Sequence, residues 1–244
     1  MSSERITFST LHTTVSGDAA LWTKFKQLSH RCQEENIEST YYDKKDPKQN
    51  LNIWRDAFDA LLAFLDTVES DQPDYRLNLD DLEEHVDFEY PVSDWLCECL
   101  HEFRYLPQRN LVHDSCLTLL TYFPEEGVFP CPNFLNRTII STYREQNQQA
   151  EAFAFSKEWY AKDETNLSAA AAFIYDLCVA GQLELAKSLI DKHIPKRLIC
   201  DNQTYELFQS AVKYYQIVGD DADGTRIRKA FEKYRSEHRE ILMY

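Results

Sequence analysis

The chain has 244 residues, with 26 Lys and Arg against 41 Asp and Glu and a formal charge of −15. That excess of carboxylates repels phosphate backbones and anionic lipid faces, so nucleic-acid binding is not expected. Hydrophobic residues at 43% exclude a disordered chain, and five glycines are too few for the repeated positive-φ turns of a hairpin-rich β protein.

Seven cysteines, an odd number spread along the chain, follow an opening MSSERITFSTLHTT that has no charged-then-apolar leader. A reducing compartment and a cytoplasmic location are the expectation. The apolar run from Ala169 to Tyr175 stops at Asp176, far short of the ~18 residues needed to cross a bilayer.

The first residues are rich in Ser and Thr with β-branched neighbours, which gives an extended arm or short strand over 1–17. Ser16-Gly17-Asp18 is a helix-start signal, and Leu21, Trp22, Phe25 and Leu28 recur at helical spacing, predicting a helix over 18–35. Asp46 and Pro47 open a second helix running to about Glu69, with Trp54, Phe58, Leu61 and Leu65 on one face. A short acidic helix near 80–86 closes an N-terminal helical region of 18–90.

From residue 91 to 244 the pattern becomes regular. Helical runs are predicted near 93–105, 109–123, 131–145, 147–161, 166–180, 183–193, 202–218 and 224–242, with breaks at Pro107, Pro124 through Pro132, Gly181, Pro195 and Gly219. Breaks this brief force neighbouring helices to pack antiparallel, giving four consecutive hairpins continuous with the preceding helices as one domain. The fold class is therefore all-α, with antiparallel hairpins stacked as an α-α superhelix and a compact orthogonal helical bundle as the alternative.

Two segments superpose at an offset of 34 residues, 144–164 on 178–198, which places Asn147 on Gly181 and Ala152 on Ala186. A helical hairpin needs a left-handed residue at its turn and a small one where its helices cross closely. Over 131–198 these features resemble a tetratricopeptide or pentatricopeptide repeat, whose period is ~34 residues. Ile140, Ile174, Trp159 and His193 stand where that family has small residues, and Gly219 follows Gly181 by 38 positions.

The resemblance implies a concave groove lined by the first helix of each hairpin, holding a peptide or protein segment. Transferred to this sequence, that face includes Arg137, Ser141, Arg144, Tyr175 and Cys178. Arg137 and Arg144, seven apart, project alike and either clamp ligand carboxylates or balance nearby acids.

Local motifs for chemistry are weak. Cys97, Cys99 and His101 have zinc-ligand types, yet on a helix Cys99 points about 200° from Cys97, so they read as ordinary helix residues with buried thiols. His113-Asp114 reads as a surface or capping pair and not as part of a metal dyad. The acids between Gly219 and Gly224 fail the calcium-loop register, since Gly219 and Ala230 occupy two ligand positions, and read as an interhelical turn. The basic stretch within 225–239, diluted by glutamates, reads as a solvated face.

No catalytic, metal or cofactor residue is assigned. The leading functional expectation is a non-catalytic helical-repeat module that binds a protein or peptide partner. The alternatives are an enzyme or small-molecule-binding helical protein with its site assembled from separate helices, and an acidic regulatory or inhibitory subunit.

Overall fold

The computed structural model describes residues 4–9, 13–41, 47–72, 75, 79, 82, 91–106, 110–123, 133–194, 199–219 and 221–238. The fold is all-α: ten helices among the described residues, a three-stranded sheet, and adjacent helices packed on one another. The chain divides into two compact units, residues 1–135 and 136–244. Within the first unit, the helix that starts just after residue 91 packs on the helix before it.

The first unit opens with β1 (Arg5–Ser9) and β2 (Thr14–Asp18), an antiparallel pair extended by β3 (Glu69–Ser70). Within the expected arm, the described residues thus form a pair of antiparallel strands. Asp18 then starts α1 (Ala19–Tyr41), its Oδ1 accepting from the amides of Ala20 and Leu21 at 2.9 and 3.0 Å, as the helix-start signal requires. Its buried face carries Trp22, Phe25, Ser29 and Cys32, spaced three and four apart.

Helix α2 (Pro47–Leu65) packs along α1, and α3 (Val92–Phe103) packs on α2, followed by α4 (Leu111–Tyr122). Large rings join these helices: Trp22 lies 4.9 Å from Phe64, Phe25 5.0 Å from Trp95, and Trp54 stacks on Trp95. The expected end of α2 at Glu69 is corrected to Leu65. Thr67 donates its hydroxyl to the Phe64 carbonyl, and Glu69 leaves the helical path to pair with Ser16 in the sheet. Asp46, the helix proposed near 80–86, and the breaks at Pro107, Pro124 through Pro132 and Pro195 lie outside the described residues, apart from Leu82, which is helical.

The second unit is organised around α7. Helices α5 (Phe134–Glu145), α6 (Gln149–Lys162), α7 (Leu167–Val179), α8 (Leu183–His193), α9 (Tyr205–Val218) and α10 (Ala222–Glu237) follow in order. Helix α7 packs on α6, α8 and α9, and it is buried nearly all round: Ala169, Ala170, Ala171, Phe173, Ile174, Leu177 and Cys178 are in the core. A helix apolar on all sides belongs inside, and its alanine run lets three neighbours approach. Asn166 caps it, its Oδ1 accepting from the Ala169 amide at 3.0 Å.

The turns before α6 and α8 are alike. Asn147 has φ +59° and Gly181 φ +71°. The amides of Gln148 and Gln182 donate to Tyr143 O and Leu177 O, both at 2.9 Å, and those of Asn147 and Gly181 donate to Arg144 O and Cys178 O. These bonds are the two reversed pairings of a Schellman cap. Ala152 and Ala186, each one turn further on, are fully buried.

Candidate functional site

A cavity of about 260 Å³ opens in the second unit, walled by the facing sides of α5, α7 and α9. Helix α5 contributes Arg137, Ile140 and Arg144, and α7 contributes Ser168, Ala171, Ala172 and Tyr175. Glu206, Gln209 and Ser210 come from α9, and the Trp159 ring of α6 reaches the floor. The spacings within each helix are those of one helical face, so a single side of each helix is turned inward.

The two arginines are held differently. Arg144 donates from Nε to Asp176 Oδ1 at 3.0 Å and from Nη2 to the Ala172 carbonyl at 3.1 Å, its Nη2 is 2.9 Å from the same Asp176 oxygen in an ion pair, and its guanidinium lies 4.2 Å from the Tyr175 ring centre. It is a wall of the cavity, braced on α7 from α5. Arg137 is more exposed and pairs through Nη2 with Glu206 of α9. Among the described residues, Nε and Nη1 of Arg137 and Nη1 of Arg144 make no hydrogen bond. These guanidinium nitrogens, engaged by no described protein group, line the cavity beside the apolar side chains of Ile140, Trp159 and Ala171.

Asp176 is 2% exposed, and its carboxyl titrates above the ordinary range because burial penalises the charge; the Arg144 guanidinium and the nearby Ser156 hydroxyl pull the other way. Its Oδ2 has no hydrogen-bond partner among the described residues. Ser210 seals the inner wall by donating to the Ala171 carbonyl at 2.8 Å.

Of the five residues transferred from the repeat resemblance, Arg137, Arg144 and Tyr175 line this cavity. Ser141 and Cys178 are absent from its lining. Ser141 donates to Glu145 Oε1 at 3.0 Å along its own helix. Cys178 is buried in the core, which pushes its thiol up to about 11.

The contribution of α9 escaped the sequence reading, although a signal for it exists. The offset of 38 from Gly181 to Gly219 carries Ser168, Ala171 and Ala172 onto Glu206, Gln209 and Ser210, the residues that close the cavity. The change of period was visible, but its use as an alignment was not.

The other singled-out positions sit outside this cavity. Cys99 is buried against the Trp54 carbonyl, its thiol raised by desolvation, while His101 is exposed beside Tyr105. His113 points into the core while Asp114 faces outward, which corrects the surface reading for the histidine. Asp221 caps α10 by accepting from Gly224 N at 2.8 Å, after Gly219 turns the chain at φ +89°. Among the described residues no three His, Cys, Asp or Glu side chains gather as metal ligands, and no helix is long and apolar enough to cross a membrane.

A second polar cluster ties α6 to α8. Tyr160 OH lies 2.9 Å from His193 Nε2 and accepts from Lys192 Nζ at 2.9 Å, and Lys192 also meets Glu164 at 2.5 Å. Burial and then Lys192 hold the imidazole below its ordinary titration range.

These features define an all-α protein with a cleft walled by three helices. No protein-family model matches the chain, and no curated protein matches it in sequence.

Proposed function

We propose that the second unit is a non-catalytic, helical-repeat type module that binds a peptide or protein segment in the cleft between α5, α7 and α9, in the cytoplasm. The observation that carries this reading is the composition of the cleft. Three first-of-hairpin helices turn one face each toward a common space, and that space combines the apolar side chains of Ile140, Trp159 and Ala171 with the guanidinium groups of Arg137 and Arg144. Apolar floor and polar rim are what side-chain recognition needs. The matching turns at Asn147 and Gly181 support the repeat resemblance, as does the burial of Ala152 and Ala186.

Selection of a random displayed peptide library on the full chain tests this. Ala172→Leu fills the cleft from a half-buried position on a good helix former, and Arg137→Glu reverses the rim charge. Enriched peptides are expected to lose binding to both variants. Peptides that bind Ala172→Leu as well as wild type would refute the cleft as the site.

One observation favours a further role for the first unit. Residues 1–135 hold 11 Lys and Arg and 25 Asp and Glu, while 136–244 hold 15 and 16, so almost the whole negative charge lies in the first unit. That supports an acidic regulatory surface steering toward a basic partner. Binding to polylysine that is equal for the two halves of the charge distribution, tested by neutralising acids of 1–135 against acids of 136–244, would remove this reading.

A further inference from the structure

We propose that the Arg137–Glu206 ion pair is a removable latch across the mouth of the cleft, an internal carboxylate occupying the position that an incoming carboxylate ligand must take. The proposal rests on the reading of this cleft as the binding site. Its argument is the contrast between two arginines on one helix face. Arg144 makes contacts to a buried Asp, a backbone carbonyl and an aromatic ring, so releasing it would strand the Asp176 carboxylate in the core. Arg137 holds one partner through one nitrogen, and the two side chains are 46% and 30% exposed.

An ion pair so open to water costs little to break, because water and salt replace most of what is lost. The pair joins α5 to α9, and both of its side chains line the cleft together with residues of α7. Closed, it restricts access to the apolar floor. Opened, it exposes Ile140 and Trp159 and frees the whole guanidinium fork of Arg137. The opening that admits an apolar group and the release of the donor that reads its carboxylate are therefore one event.

Trp159 is the only tryptophan in 136–244 and lines the cleft, so it reports on the latch without a biological partner. The full chain is labelled with fluorotryptophan and the Trp159 resonance assigned with Trp159→Phe. Relaxation enhancement is then measured with the neutral nitroxide TEMPOL and the anionic carboxy-PROXYL. Glu206→Gln is expected to raise the TEMPOL effect at Trp159 by roughly two- to fivefold, the range carried by an exposed ion pair. The carboxy-PROXYL effect should rise further, and this excess should vanish in Arg137→Gln/Glu206→Gln while the TEMPOL rise remains.

The other three tryptophan resonances control for folding, and wild type at raised salt should move toward Glu206→Gln with TEMPOL. An unchanged Trp159 response in both Glu206→Gln and high salt overturns the latch. Because no peptide is involved, that failure leaves the peptide-binding reading to its own test, and failure of peptide selection leaves the latch measurement intact.

Discussion

Asn147 and Gly181 stand 34 residues apart and both turn the chain through the left-handed region, at φ +59° and +71°, with the same pair of backbone hydrogen bonds closing each turn. For Asn this conformation carries a modest steric cost, and for Gly none. A Cβ on Gly181 would meet nothing within 4 Å, so only backbone strain opposes substitution there. Gly181→Ala is expected to lower stability by about 1 kcal/mol and Asn147→Gly to be neutral or stabilising. Urea midpoints of the two variants check both signs, and a neutral Gly181→Ala would contradict the argument.

The two arginine pairs should differ in worth. Asp176→Asn weakens a buried, multiply bonded pair and is expected to cost about 1–3 kcal/mol, whereas Glu206→Gln should cost under about 1 kcal/mol. Double-mutant cycles with Arg144→Gln and Arg137→Gln give the couplings. A larger coupling for the 137–206 pair would reverse the assignment of wall and latch.

Histidine 193 supplies a pH dependence with a definite sign. Its folded-state titration is depressed by burial and by Lys192, so the unfolded chain takes up the proton first as the solution is acidified. Its contribution to stability is complete above the unfolded value of about 6.5 and is lost as pH falls from there toward the depressed folded value. His193→Gln, which keeps a hydrogen-bonding partner for the Tyr160 hydroxyl, should flatten the stability profile in that window. An identical profile for the variant would show that the imidazole is not responsible.

Glycine 17 faces a ring and not a turn. A Cβ there would stand 2.5 Å from Phe64 Cε2, and Phe64 is fully buried. Gly17→Ala is expected to destabilise by about 1–3 kcal/mol through overpacking. Gly17→Ala/Phe64→Leu should cost less than the two single changes together, because Leu vacates the contested space. Additive losses in thermal melts would locate the problem elsewhere.

Local chemistry made much of this protein legible in one dimension. Few glycines, helical spacing of Trp22, Trp54, Phe58 and Leu61, and the breaks at Gly181 and Gly219 are all carried within a turn or two of chain, so the all-α class and the register of α7 and α8 could be read directly. The left-handed turns were legible for the same reason: Asn and Gly tolerate positive φ on their own account. The sheet was harder. Glu69 and Ser70 become a strand only because Val15 and Ser16 lie alongside, more than 50 residues away, while the local pattern continues the helix.

The site divides along the same line. That Arg137 and Arg144 share one side of their helix followed from their seven-residue spacing, and both line the cavity together with Tyr175 of another helix. Which carboxylate each arginine meets, and how deeply, was decided only in three dimensions. Arg144 meets Asp176 across 32 residues and Arg137 meets Glu206 across 69, distances over which spacing carries no geometry. The sequence by itself determined the helices and the faces they offer, because those depend on neighbours one turn away. The tertiary structure alone decided that Arg144 meets a buried carboxylate and Arg137 a half-exposed one, because burial and partner depend on how separate helices pack.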